Sequence, residues 1–134
     1  MATRSTIALE YADGTVGQIY CHWDGYLDNN GKILYHSYQD PFMVRELLDN
    51  GDMSSLDRTV STCTFYKERG EVCPQHMFKD FEDYKANHQY EEYEYILRKD
   101  GNWYVSQYSK PYELLGEAIA EELRQNAEDE EALM

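Results

Sequence analysis

Strand-like alternation of apolar and polar residues starts four residues into the chain. Between Arg4 and Tyr11, Ile7, Leu9 and Tyr11 fall on one side and Ala8 and Glu10 on the other, because successive strand side chains point to opposite faces. Asp13-Gly14 interrupts the pattern and Val16 to Trp23 resumes it, with Ile19, Cys21 and Trp23 opposed to Val16, Gln18, Tyr20 and His22. Two alternating runs around Asp-Gly predict a β-hairpin. The same signature recurs around Asp100-Gly101. Tyr93, Tyr95 and Leu97 alternate with Glu94, Ile96 and Arg98 before the turn, and Trp103, Val105 and Gln107 alternate with Tyr104, Ser106 and Tyr108 after it. A further strand is expected from Thr59 to Tyr66, which is rich in β-branched and aromatic residues.

Between the hairpins the spacing changes to that of helices. Ile33, Leu34, Ser37 and Tyr38 predict a short one. Asp40-Pro41 is an N-cap followed by proline at the first helical position, Val44, Leu47 and Leu48 form the apolar stripe, and Asn50-Gly51 is the stop. Val72 to His76 contains Pro74 and reads as loop, and Phe78, Phe81 and Tyr84 predict a helix after it. Pro111 is expected to open a last helix carrying Leu114, Leu115, Ala118, Ile119 and Leu123, with an acidic tail that frays over 126–134. The sum is an α+β fold: one domain over 1–134, roughly five antiparallel strands, and helices packed on one face.

Charge sharpens this outline most. Twenty-six acids stand against twelve bases, a formal net charge of −14. That balance repels phosphate backbones and anionic lipid surfaces, so direct nucleic-acid or membrane binding is not expected, and basic partners are favoured. No run approaches the roughly 20 apolar residues needed to cross a bilayer. The three cysteines are too few and too scattered for a disulfide framework, and they point to a reducing compartment. Thirteen tyrosines supply amphipathic area suited to wet cores and interfaces.

Chemistry-bearing side chains concentrate at Tyr20–Tyr26, Tyr-Cys-His-Trp-Asp-Gly-Tyr. Cys21 and His22 are adjacent and face opposite ways on a strand, so they do not form a thiolate–imidazole pair. A Cys63 or Cys73 nucleophile with His22, His36 or His88 has no local feature in its favour. His22 and Asp24 share a face, but Asp-Gly turn chemistry alone accounts for Asp24. Tyr20, His22, Asp24 and Tyr26 are the candidate ligand site. Cys73 and His76 are the one closely spaced Cys/His pair, too few for a zinc framework. No metal and no cofactor are expected, and no phosphate loop, dinucleotide fingerprint or nucleophile elbow is present. On the last helix Glu113, Glu117 and Glu121 recur every fourth residue, a ridge with about 6 Å per step. Together with Glu122, Glu91, Glu92 and Glu94 they are the candidate partner-binding acids. Two such rows approach the density of DNA phosphates, one per about 3.4 Å of strand. A solvated helix face explains the same stripe more simply.

Several segments, taken in order, resemble a known group. They are Thr3-Arg4-Ser5-Thr6-Ile7, Ile19-Tyr20-Cys21-His22-Trp23-Asp24-Gly25-Tyr26, Gly31-Lys32-Ile33-Leu34, Leu47-Leu48-Asp49-Asn50-Gly51-Asp52 with Ser54-Ser55-Leu56, and Tyr66-Lys67-Glu68-Arg69-Gly70-Glu71. The group is a family of small tailed-bacteriophage proteins of unassigned function. The resemblance spans most of 3–71 and weakly the hairpin around Asp100-Gly101. The family commonly has proline after the second tyrosine of the motif, where this chain has Leu27. The resemblance implies a viral accessory protein acting in the cytoplasm of an infected bacterium, and it supplies no catalytic residues.

Three functions follow as expectations. The first is a non-enzymatic inhibitor of a host nucleic-acid-handling or defence complex, anti-CRISPR-like, whose acidic surface mimics DNA and meets a basic host protein or nucleoprotein. The second is binding or cleavage of a small ligand or nucleotide signal at the Tyr20–Tyr26 turn. The third is a homodimer through the tyrosine-rich sheet face.

Overall fold

The computed structural model describes the backbone of residues 2–133 and the side chains of residues 2–128. The first predicted hairpin is present as β1 (Ser5–Glu10) and β2 (Val16–Cys21), paired antiparallel from Ser5↔Cys21 to Glu10↔Val16. The second is β6 (Tyr93–Leu97) and β7 (Trp103–Gln107), paired from Tyr93↔Gln107 to Leu97↔Trp103. Between them in sequence lie a π-helical turn (Leu27–Gly31), α1 (Lys32–Ser37), α2 (Pro41–Asp49), β3 (Met53–Ser55), β4 (Thr64–Phe65), β5 (His76–Phe78) and α3 (Phe81–Asn87). After them come β8 (Glu113–Leu114) and α4 (Leu115–Leu133). The tail expected to fray from Asn126 is helical backbone to Leu133.

Among the described residues eight strands form one sheet, not five, in the order β4-β3-β2-β1-β6-β7-β8 with β5 also paired to β2. The sheet is mixed. The two hairpins join through β1 and β6, which run parallel from Ser5↔Tyr93 to Leu9↔Leu97, and β2 meets β3 in parallel at Cys21↔Met53. Each hairpin is specified by its own turn, but how two hairpins meet is not, because that pairing closes a loop of more than 80 residues. The outer edge of β2 is divided. Val16, Gly17 and Gln18 pair with β5, Cys21 pairs with β3, and in the gap the Tyr20 N–H donates to the Asp52 carboxylate at 2.9 Å. Burial raises the Asp52 pKa, opposed by that hydrogen bond.

Helices cover both faces rather than one. Ile7, Ile19, Tyr95 and Val105 pack beneath Leu34 of α1, Leu47 of α2 and Leu115 and Ile119 of α4. On the opposite face Ala8, Val16 and Ile96 pack against Tyr84 of α3, with Phe78, Phe81, Tyr104 and Tyr112 around it. The sheet is therefore apolar on both sides at its centre, which strict alternation did not anticipate because Ala8 and Ile96 sit on the nominally outer face. Buried aromatic polar tips are satisfied: the Trp103 indole donates to the Tyr38 carbonyl at 2.9 Å, and the Tyr38 hydroxyl donates to the Asp57 carbonyl at 2.7 Å.

Local chemistry explains where elements start and stop. The Asp40 side chain accepts from the Phe42 N–H at 2.9 Å and Pro41 opens α2, as its sequence required. Gly51 at the end of that helix has φ +81, and a Cβ there would lie 2.2 Å from the Cys73 carbonyl oxygen. The expected strand Thr59–Tyr66 survives only as Thr64–Phe65. Val60–Thr62 forms a 3-10 turn in which the Thr62 hydroxyl donates to the Thr59 carbonyl at 3.1 Å, a local side-chain bond that competes with the strand ladder. Phe78 ends β5 instead of starting a helix, and α3 begins after Asp80, whose side chain accepts from the Asp83 N–H. Similarly, α4 starts at Leu115 and not at Pro111, because Glu113 and Leu114 pair with Val105 and Tyr104 at the sheet edge. Among the described residues, no helix is long and apolar enough to cross a membrane.

Candidate functional site

The segment Tyr20–Tyr26 leaves the sheet at Cys21 and turns at Asp24, a non-glycine residue at φ 57. Its backbone is held on every side. His22 and Trp23 N–H groups donate to the Met53 and Ser54 carbonyls at 3.1 and 2.9 Å, and Gly25 donates to the Thr3 carbonyl at 2.8 Å. The Gly25 carbonyl in turn accepts from the buried Tyr95 hydroxyl at 2.6 Å. A Cβ on Gly25 would lie 2.7 Å from the Ser5 Cβ and 2.9 Å from the Thr3 oxygen, so only glycine fits. Beneath the turn the buried Asn30 amide donates to the Ser5 hydroxyl at 3.1 Å and the Cys21 sulfur at 3.4 Å, and the Asn30 N–H meets the Asp24 carbonyl at 3.2 Å. These bonds fix the loop, and Asn30 owes its place to the π-helical turn.

The four candidate ligand residues do not converge. Tyr20 and His22 are joined by a 2.6 Å hydrogen bond between the hydroxyl and Nδ1. Asp24 lines a different feature, a cleft of about 570 Å³ shared with Asp28, Lys32, His36, Asp57 and Arg58. There Lys32 and Asp28 are already paired at 2.6 Å. Tyr26 is exposed at the entry to the π-helical turn. Trp23, which alternation puts on the same face as the buried Cys21, is 44% exposed, because the strand geometry that would have turned it inward ends two residues earlier. Its ring stands edge-on to His22 at 4.7 Å.

Thiol chemistry has no support from geometry. Burial pushes the Cys21 thiol up to about 11, against hydrogen bonds from Asn30 and to the Trp23 carbonyl. Burial also raises Cys63, and Cys73 is raised by desolvation and by the charges of Asp52 and Glu71. Raised thiols are poor nucleophiles at neutral pH. Among the described residues, no group of three or more His, Cys, Asp or Glu side chains is placed to hold a metal ion.

The acids divide into surface and core. Glu117 and Glu121 are exposed on α4, with Glu122 half-buried, and Glu121 pairs with Arg124. Glu113 is exposed but lies on β8, so the four-residue ridge begins at Glu117. Glu91 and Glu92 are half-buried ahead of β6. Glu94 is not a surface acid at all: it is 1% exposed and paired with His88, itself 6% exposed. Its position on the nominally outer face of β6 is the face that α3 covers.

That buried pair is the chemistry the sequence did not announce. His88 Nδ1 donates to the Tyr84 carbonyl at 2.6 Å, and Nε2 donates to Glu94 Oε2 at 2.7 Å. The Tyr112 hydroxyl donates to the same oxygen at 3.2 Å, and the Glu91 N–H donates to Oε1 at 3.3 Å. The imidazole lies between the rings of Tyr84 and Tyr90, at 4.5 and 4.3 Å. Burial pulls the His88 pKa down, but the bond and charge of Glu94 and the Tyr84 carbonyl outweigh it, leaving the pKa raised. Acceptors at both ring nitrogens and the raised pKa favour the imidazolium form of His88 beside Glu94. Every strong partner is used within the protein, as in a structural network.

In comparison with known proteins, no family model, no curated protein and no solved structure matches this chain.

Proposed function

We propose that the chain is a non-enzymatic protein-binding module whose acidic helix occupies a basic groove of a host nucleic-acid-handling or defence complex, in the manner of a DNA mimic. The observation that carries this reading is the construction of α4. Among its described side chains, those in the core are in the first turns, Leu115, Ala118 and Ile119. From Ala120 to Glu128 every side chain is exposed except the half-buried Glu122. The helix sequence from 115 to 133 holds Glu117, Glu121, Glu122, Glu128, Asp129, Glu130 and Glu131 against the single base Arg124. At 1.5 Å per residue, 19 residues span about 28 Å, enough to lie along most of a turn of duplex-sized groove. One-signed charge of this kind steers and selects a basic partner more than it supplies raw affinity.

The setting, a phage accessory protein in the cytoplasm of an infected bacterium, rests on the sequence resemblance of residues 3–71. A non-enzymatic role agrees with the raised thiols and the self-satisfied polar networks. The test uses the full chain as bait in lysate of an infected host at about 50 mM and about 300 mM salt, a range over which screening length falls about 2.4-fold. Capture of nucleic-acid-binding proteins at low salt, reduced at least tenfold in the Glu117→Lys/Glu121→Lys variant, supports the reading. Capture indifferent to both salt and charge reversal overturns it.

A further inference from the structure

The α3 side of the sheet carries a charge anomaly. Two adjoining cavities of about 400 and 270 Å³ share Lys85, Pro111 and Tyr112 and together form one groove between α3 and the β7–β8 connection. Three cations, Lys85, Arg98 and Lys110, line it in a chain whose net charge is −14. The one acid among its lining residues is Glu94, and His88 neutralises it. Four rings, Phe81, Tyr90, Tyr104 and Tyr112, complete the walls.

The cations are not equally committed. Arg98 donates to Glu10 at 3.1 Å and lies 3.6 Å over the Phe81 ring, which makes it part of the wall. Lys85 sits 4.9 Å over the same ring and shares its charge with Glu82, an exposed partner from which it can swing away. Lys110 has no ion-pair partner among the described residues. Its backbone is nevertheless tightly placed. Tyr108 and Ser109, immediately before it, are consecutive non-glycine residues in the left-handed region, at φ 52 and 63. The Ser106 hydroxyl donates to the Lys110 carbonyl at 2.5 Å, and the Lys110 N–H donates to the Gln107 carbonyl at 3.0 Å. Left-handed side-chain-bearing residues are held only where surrounding structure enforces them, and they concentrate at functional sites. Here the enforced turn mounts a lysine with an uncommitted ammonium at the mouth of an aromatic groove.

From this we propose that the groove binds a nucleoside phosphate, its base against Tyr104 and Tyr112 and its phosphates between Lys85 and Lys110. Aromatic faces accept any base by stacking, and two mobile ammonium groups match a flexible polyphosphate. The volume suits a ligand of that size. The site is separate from α4 and from the Tyr20–Tyr26 loop, so it stands or falls independently of the partner-binding role.

The experiment titrates the full chain with ATP, GTP, CTP and UTP by calorimetry and by amide chemical shifts. Adenosine and inorganic tripolyphosphate are the single-feature controls. Saturable binding of at least one nucleotide with Kd below about 1 mM is expected, with shifts at Tyr104 and Tyr112. In the Lys85→Ala/Lys110→Ala variant, whose altered side chains are exposed, affinity should fall at least tenfold at an unchanged melting temperature. Glu117→Lys should leave it unaltered. No saturable binding of any of the four, binding untouched by the double variant, or tripolyphosphate binding as tightly as the nucleotides would each overturn the proposal.

Discussion

Two loops of this protein contain left-handed residues that are not glycine, and they use the strain differently. At Tyr20–Tyr26 the turn at Asp24 faces the polar groups inward: the Gly25 carbonyl to Tyr95, the Asp24 carbonyl to Asn29 and Asn30, and the Gly25 N–H to Thr3. At Tyr108–Lys110 the backbone is equally tied, yet the turn leaves a lysine ammonium lining the groove with no ion-pair partner among the described residues. The Tyr20–Tyr26 loop is chemically rich in sequence, and that richness goes into architecture. The Tyr108–Lys110 loop has an ordinary sequence and places a positive charge beside an aromatic groove. A dense motif therefore predicts a crowded junction as readily as a reactive one, and the side chain with nothing bonded to it is the more informative residue.

The largest expected effect lies beneath the Tyr108–Lys110 loop. Glu94→Ala leaves the His88 imidazolium buried without its carboxylate, and should cost about 3–5 kcal/mol in urea unfolding, whereas Glu94→Gln keeps hydrogen-bonding capacity and costs less. A cost below about 1 kcal/mol would show that the pair is not buried as described. Next is Gly25→Ala in the Tyr20–Tyr26 loop. The added methyl meets Ser5 Cβ and the Thr3 oxygen inside van der Waals distance, so a loss of about 2–3 kcal/mol and a lower Tm are expected. An unchanged Tm would show that the junction is looser than its contacts indicate. His22→Ala removes one half-exposed hydrogen bond to Tyr20 and should cost about 1 kcal/mol or less.

The smallest effect is a pH slope. Because the folded His88 pKa is raised, its contribution is fully present below the unfolded histidine value near 6.5 and is lost as pH rises through the folded value. The urea midpoint should therefore fall between about pH 6 and about pH 8, before unfolded cysteines titrate. The slope should flatten in His88→Gln. A midpoint that rises over this window contradicts the imidazolium assignment.

Much of this was legible in the residues. Asp13-Gly14 and Asp100-Gly101 gave both hairpins, and Asp40-Pro41 with Asn50-Gly51 gave α2 with its ends. What escaped were pairings set by distance in space rather than by neighbours in sequence. The parallel junction of β1 and β6 has no turn to announce it. Two- and three-residue strands such as β5 and β8 exist only because β2 and β7 offer them an edge. Thr59–Tyr66 had strand-like composition, but its hydroxyls found closer partners. For the candidate site, Glu94 misled because alternation assigned it to an outer face, and only α3 docking on that face makes it buried. Ala8, Val16 and Ile96, apolar on the same face, were the signs. Lys110 carried no sign at all, since a lysine before proline in a polar segment reads as loop.

The most direct test sets the helix against the loop in one partner-capture assay, with wild type, Glu117→Lys/Glu121→Lys and His22→Ala/Asp24→Ala side by side and each confirmed folded by its melting curve. Capture should fall at least tenfold in the helix variant and stay within about two-fold of wild type in the loop variant. Loss of capture in the folded loop variant, with the helix variant binding as wild type, would contradict the assignment of function to α4 and return it to Tyr20–Tyr26.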